Sequence, residues 1–163
     1  MTQLTEGELS LKSVTCLWQR SFAVPSMLLF MSQHPAFAAA DLSSLRTIAV
    51  GGAPMPVPLL QRYAERQIPV NQGFGMTETT ATVSLLVPER GIDKQGSCGT
   101  PALLTEVRLT DFDGTPITEP HVKGELCIRG GNVMKGYWNR PDATAASFDA
   151  EGWFRSGDVA YVD

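Results

Sequence analysis

The rhythm of apolar and polar positions changes part-way along the chain. Val14 to Trp18 is a short β-prone run, and Pro25 follows where a helix would begin, leading into Met27, Leu28, Leu29, Phe30 and Met31. No element is assigned to the residues between them, Gln19 to Phe22. Asp41 can cap a short turn through Leu45. Thr47 to Val50 is then apolar enough for a buried strand and stops at Gly51-Gly52. Pro56 opens a second helix, in which Val57, Leu60, Tyr63 and Ala64 recur at three- and four-residue spacing. Strand, helix, strand, helix is the order of a parallel α/β layer. Ile68, Pro69 and Val70 lead into a loop containing Gly73 and Gly75, and an apolar segment from Ala81 to Val87 ends at Pro88.

From Gly96 onward the pattern is two-fold. Val107 and Leu109 alternate with Glu106, Arg108 and Thr110, and Leu126 and Ile128 alternate with Glu125 and Arg129. Asp113-Gly114 is a tight-turn signal between them, and one short helix is expected from Pro141 to Phe148. The expected fold is α/β: a partial subdomain with mostly parallel strands over residues 1–92, then a small antiparallel, barrel-like β subdomain over residues 93–163. The charged, Gly-rich stretch from Pro88 to Gly99 is the joint between them.

Composition narrows the classes. A chain of 163 residues with 43% hydrophobic and 18% charged residues is a globular sequence and not a tail or fibre. At that length, burial of roughly 70% of the unfolded surface builds a core without disulfides or a structural metal. The formal charge is −4, with seven cations against seven anions up to Lys94 and six against ten from Gln95 onward. Neither half is basic, so nucleic acid and anionic membrane surfaces are poor partners. Cys16, Cys98 and Cys127 are too few and too dispersed for a disulfide framework. With His34 and His121 they form no zinc spacing, so a reducing cytoplasm is expected. The apolar run Val24 to Met31 followed by Ala36-Phe37-Ala38 imitates a signal peptide, but Glu6 and Glu8 occupy its basic region and Pro25 interrupts it. No apolar stretch is long enough to span a bilayer.

Candidate chemistry concentrates in Asn71-Gln72-Gly73-Phe74-Gly75-Met76-Thr77-Glu78-Thr79-Thr80. Glycines admit a phosphate close to backbone amides, Thr77 can donate to a phosphate oxygen, Glu78 is a hard oxygen ligand for Mg²⁺, and Phe74 offers a face to a purine. The plainer alternative is a strand-to-helix loop with Thr77 as the cap and Glu78 favouring the helix dipole. Neither the dinucleotide fingerprint nor the Walker loop is present. Gly51-Gly52-Ala53-Pro54 ends a strand at the carboxyl edge of the expected sheet, where open α/β folds bind ligands. Asp158, in Trp153-Phe154-Arg155-Ser156-Gly157-Asp158, can accept from two ribose hydroxyls or be a turn aspartate. Asp111-Phe112-Asp113-Gly114 matches the start of a calcium loop, but Thr115 breaks the pattern and a β-turn is expected.

Taken in order, Gly51-Gly52-Ala53-Pro54, Gly73-Phe74-Gly75-Met76-Thr77-Glu78, GELCIRGGNVMKGYWNRPDATAASF and DAEGWFRSGD resemble the adenylate-forming superfamily from about Val14 to the last residue. That superfamily holds acyl-CoA synthetases, beetle luciferase and peptide-synthetase adenylation domains. Met76, where peptide synthetases usually carry proline, makes the sequence more similar to a fatty-acyl or related acyl-CoA ligase. The resemblance implies that a carboxylic acid, a fatty acid in the first instance, attacks the α-phosphate of ATP with Mg²⁺ present, releasing pyrophosphate, and that the thiol of coenzyme A then displaces AMP. It implies that Gly52, Ala53 and Pro54 line the adenine and acyl side and that Gly73, Phe74, Gly75 and Met76 border the nucleotide, Phe74 stacking on adenine. Thr77 would hold the α-phosphate, Glu78 the Mg²⁺ and Asp158 the ribose. Phe74 stands where tyrosine is commoner, and Ser156 where threonine is. The family's Ser/Thr/Gly-rich phosphate loop, its downstream ribose-binding arginine and its catalytic lysine have no counterpart in the sequence. The chain is therefore expected to be an internal segment of the large amino-terminal domain, inactive and self-associating in isolation. The rival expectations are a non-catalytic remnant or nucleotide-binding module of the same fold, and a segment of a peptide-synthetase adenylation domain.

Overall fold

A computed structural model describes residues 19–87, 94 and 96–163. The expected Val14–Trp18 strand lies outside them, as does most of the Pro88–Gly99 joint. By spatial grouping the chain forms two compact units, one containing residues up to Gly75 together with Ser84–Thr100, the other Met76–Val83 together with Pro101–Asp163.

In the first unit the order is β1 (Arg20–Ala23), α1 (Pro25–Gln33), β2 (Thr47–Val50), α2 (Val57–Ala64), β3 (Val70–Phe74) and β4 (Ser84–Leu85), and β5 (Thr100–Pro101) has Thr100 in this unit and Pro101 in the second. The strands lie in the order β1-β2-β3-β4-β5. β1 and β3 flank β2 in parallel, with Ala23 opposite Val50 and Val50 opposite Gln72, and β4 joins β3 antiparallel. Two sequence expectations change. Arg20–Ala23, to which the sequence pattern assigns no element, is a strand: its backbone pairs along the whole of β2, which outweighs the polar, exposed Arg20 side chain. β3 continues through Gly73 and Phe74, which were expected in a loop, because strands on both sides supply hydrogen-bonding partners for a polar sequence.

Prolines start both helices: Pro25 is the first residue of α1, and Pro56 precedes α2. α1 sends Leu28, Met31 and Ser32 inward. The inward residues of α2 are Leu59 and Tyr63, one turn apart: of the expected stripe through Val57, Leu60, Tyr63 and Ala64, Tyr63 is buried, and Leu59 takes the other inward place. Tyr63 is fully buried, donates its hydroxyl to the Leu28 carbonyl at 2.8 Å, and meets Phe37 edge-on at 5.4 Å. Ile48, Val50 and Ile68 complete this core from the sheet side. The Asp41 turn forms as expected, its carboxylate accepting from the Ser43 amide at 3.0 Å.

The second unit holds β6 (Thr105–Thr110), β7 (Pro116–Ile117), β8 (Gly124–Gly130), α3 (Pro141–Ser147) and β9 (Phe154–Ala160), with the antiparallel sheet order β7-β6-β8-β9. Asp111 closes the β6–β7 turn, its Oδ1 accepting from the Asp113 and Thr115 amides at 2.9 and 2.8 Å. The calcium-like motif is thus a β-turn. Trp153 packs beneath two guanidinium groups, Arg108 at 4.5 Å and Arg129 at 4.3 Å from its ring, and Arg108 is itself paired with Asp149 and Glu151.

Candidate functional site

The sequence-predicted residues divide between the two units. In the first, the segment Gly51–Pro54 leaves the carboxyl end of β2 beside the end of β3: a Cβ on Gly51 would stand 3.6 Å from the Gly73 carbonyl oxygen. Gly52, Ala53 and Pro54 are exposed, while Gly73, Phe74 and Gly75 are half-buried. Both glycine segments therefore share the carboxyl edge of adjacent parallel strands, the location at which open α/β sheets hold ligands. Gly73 has a packing reason as well, since a Cβ there would meet the Ser84 carbonyl at 3.1 Å and a Leu85 methyl at 3.2 Å. Pro54 also borders a cleft of about 460 Å³ between α1 and α2, along with Pro25, Leu29, Pro56, Leu59 and Arg62.

In the second unit Thr77–Thr79 forms a single 3₁₀ turn. The alternative of a helix capped by Thr77 does not hold. The Thr79 hydroxyl, fully buried, bonds both the amide and the carbonyl of Met76 at 3.1 Å and leaves Thr77 exposed. Two left-handed residues follow, Thr80 at φ 52° and Ala81 at φ 72°, the first of them β-branched. Such a conformation persists only where surrounding bonds impose it. They come from the loop after β8: Asn132 Nδ2 donates to the carbonyls of Thr79 and Thr82 at 3.3 and 3.0 Å. Thr80 Oγ1 donates back to the Asn132 carbonyl at 2.8 Å. The Met134 amide donates to the Glu78 carbonyl at 2.7 Å, and the Tyr137 hydroxyl to Glu78 Oε1 at 3.0 Å. Glu78 is gripped at its backbone carbonyl and at Oε1 of its carboxylate.

Asp158 is placed by a bulge. β8 and β9 pair Glu125 with Val159 but Cys127 with Arg155, so Ser156, Gly157 and Asp158 together oppose Leu126 alone. Gly157 takes φ +76°, which an L-residue enters only at a cost, and its amide donates to Glu125 Oε1 at 3.2 Å. The other oxygen of Glu125 receives two bonds from Arg155, at 3.0 and 2.9 Å. Asp158 emerges exposed, its amide bonded to Ser156 Oγ at 3.1 Å. Sequence reasoning passed over Glu125, Asn132 and Tyr137. Their signal was present in the GELCIRGGNVMKGY run, but their partners lie 30 to 59 residues away along the chain.

Among the described residues no group of three or more His, Cys, Asp or Glu side chains could cage a metal ion, and no helix is long and apolar enough to cross a membrane. One exposed-edge carboxylate does fit Mg²⁺, which keeps several waters and takes one or two protein carboxylates together with substrate phosphates.

The AMP-binding enzyme family matches residues 19–138, and the chain belongs to that family. It is 49% identical over 142 residues to a feruloyl-CoA synthase of Amycolatopsis sp, covering 87% of this chain and 28% of that protein. To the long-chain-fatty-acid–CoA ligase FadD13 of Mycobacterium tuberculosis it is 42% identical over 141 residues, 86% of this chain and 27% of that one. The fold superposes on the inhibitor-bound amino-terminal domain of FACL13 from M. tuberculosis with a TM-score of 0.86 at 38% identity, covering 100% of this chain and 40% of that one. On O-succinylbenzoate coenzyme A synthetase from Bacillus subtilis, in complex with ATP and magnesium ion, the TM-score is 0.82 at 36% identity, covering 99% and 33%. The chain thus spans less than a third of these curated relatives.

Proposed function

We propose that this chain is a segment of an acid–thiol ligase that adenylates a carboxylic acid with Mg²⁺·ATP and passes the acyl group to coenzyme A. The observation that carries the reading is the Thr77–Glu78 turn, which presents a carboxylate on a backbone bent into left-handed geometry and clamped by a second loop. Residues 1–92 and 93–163 correspond to two subdomains of the nucleotide-binding domain. Gly52, Ala53, Pro54, Gly73, Phe74, Gly75 and Met76 border adenine and the acyl group, Thr77 donates to the α-phosphate, Glu78 ligates Mg²⁺, and Asp158 accepts from the ribose. Bound Mg²⁺ neutralises charge developing on the phosphoryl oxygens.

The relatives' names span ferulate, long-chain fatty acids and succinylbenzoate, so a fatty acid is one substrate class among several. The cysteine usage supports a cytoplasmic location. Self-association of the isolated chain is supported by Phe22 and Phe30, each more than two-thirds exposed, and by β1, which among the described residues has a single neighbouring strand.

The test uses carboxylate-dependent ATP–pyrophosphate exchange. This chain alone gives none above a protein-free blank, because it spans a minor part of the length of its curated relatives. In a full-length polypeptide carrying this segment, Glu78→Gln lowers exchange by ~10²-fold with an unchanged melting temperature. An exchange rate untouched by Glu78→Gln would leave the carboxylate a structural group only.

A further inference from the structure

Glu78 is held at two points, and one of them has no need of its carboxylate. The bond from the Met134 amide to the Glu78 carbonyl, with the Asn132 bonds on either side of Thr80 and Ala81, already docks the turn onto the loop after β8. The bond from the Tyr137 hydroxyl to Glu78 Oε1 adds nothing to the backbone path. What it fixes is the rotation of the carboxylate.

Tyr137 is itself built into place. Its amide donates to Thr144 Oγ1 at 2.9 Å, and that hydroxyl donates to the Arg140 carbonyl at 2.8 Å, tying the tyrosine to the start of α3. Gly136 makes the approach possible: a Cβ at that position would meet the Thr144 methyl at 2.7 Å.

We infer that Tyr137 is the positioning residue for Glu78, locking Oε1 so that Oε2 faces the divalent cation in a single orientation. The inference rests on the reading of Glu78 as the Mg²⁺ ligand. A carboxylate on three rotatable bonds otherwise loses that freedom when the cation binds, and a lock made beforehand removes part of the cost.

Mn²⁺·ATP is titrated into a full-length polypeptide carrying this segment, ¹⁵N-labelled at glutamate and methionine, and paramagnetic broadening of the Glu78 and Met134 amide signals gives the apparent affinity. Tyr137→Phe, which keeps the ring, weakens it by about five-fold, in line with one charge-assisted hydrogen bond on an exposed site. Glu78→Gln weakens it more than ten-fold, and adding Tyr137→Phe to Glu78→Gln changes it no further, because the tyrosine acts through the carboxylate. Thr144→Ala, which frees the Tyr137 amide, is a second route to the same loss. Wild-type affinity in Tyr137→Phe with a weakened Glu78→Gln overturns this inference and leaves the ligand reading standing. Wild-type affinity in Glu78→Gln, or no broadening with the unsubstituted full-length protein, overturns both. Additive losses in the double variant refute action through Glu78.

Discussion

Asn132 holds the Glu78 turn closed, and replacing it measures what that turn costs. Its Nδ2 spans the two left-handed residues, donating to the Thr79 carbonyl at 3.3 Å and the Thr82 carbonyl at 3.0 Å. A non-glycine residue in left-handed geometry costs on the order of 1–2 kcal/mol. Against this, each hydrogen bond returns about 1 kcal/mol net, less for the longer of the two. Asn132→Ala removes both donors and leaves intact the backbone bond from the Met134 amide to the Glu78 carbonyl, 2.7 Å long. The opening free energy of the turn should then fall by about 1.5 kcal/mol, close to one decade in a protection factor. The Met134 amide reports it directly, so native-state hydrogen exchange by NMR should show a roughly ten-fold loss of protection there. Amides of β6 and β8 should keep theirs. A Met134 amide exchanging at the wild-type rate would refute the argument that Asn132 restrains the strained backbone. An equal loss at β6, β8 and Met134 would refute its local character.

Two further expectations concern the first unit. Burial raises the Tyr63 phenol well above its ordinary pKa of 10.0. The native state therefore holds the proton more tightly than the unfolded chain, and the stabilisation is complete below pH 10 and lost as pH rises beyond it. Urea unfolding between pH 9 and pH 11 should show stability falling by up to about 1.4 kcal/mol per pH unit above 10, and Tyr63→Phe should flatten that slope while costing about 1 kcal/mol at neutral pH. An unchanged slope in Tyr63→Phe would assign the alkaline loss to other groups. Sedimentation equilibrium at micromolar concentration should give a mass above the 17.6 kDa of one chain, returning toward it in the doubly substituted Phe22→Ser, Phe30→Ser protein. A concentration-independent 17.6 kDa particle in the unsubstituted chain would remove the proposed self-association.

Elements marked by local chemistry were legible in the sequence. Pro25, Pro56 and Pro141 each open a helix, Thr47–Val50 is the strand its apolar run suggests, and Asp113-Gly114 is the turn. Hidden from it were the elements whose stability comes from a distant neighbour. Arg20-Ser21 and Asn71-Gln72-Gly73 are poor strand sequences that become strands because β2 runs alongside. The residues proposed for the site followed from motif chemistry, but the devices that hold them did not. The bulge presenting Asp158 exists only in the register between β8 and β9, and nothing near Glu78 in sequence signals Tyr137, 59 residues further on.

The clamp on the Glu78 turn also fixes an order of events during synthesis. Thr79 leaves the ribosome 53 residues before Asn132, its partner. At 5–20 residues per second the interval is about 3–10 s, long compared with the microseconds in which a hairpin or helix forms. During that interval β1, α1, β2, α2, β3 and β4 are available to assemble, whereas Thr80 and Ala81 have only the local bonds of their amides to the Thr77 and Met76 carbonyls and lack those from Asn132. The proposed metal-binding carboxylate therefore acquires its geometry only when the loop through Tyr137 arrives. A nascent chain halted before that loop would carry the Thr77–Glu78 motif without the shape that gives the motif its use.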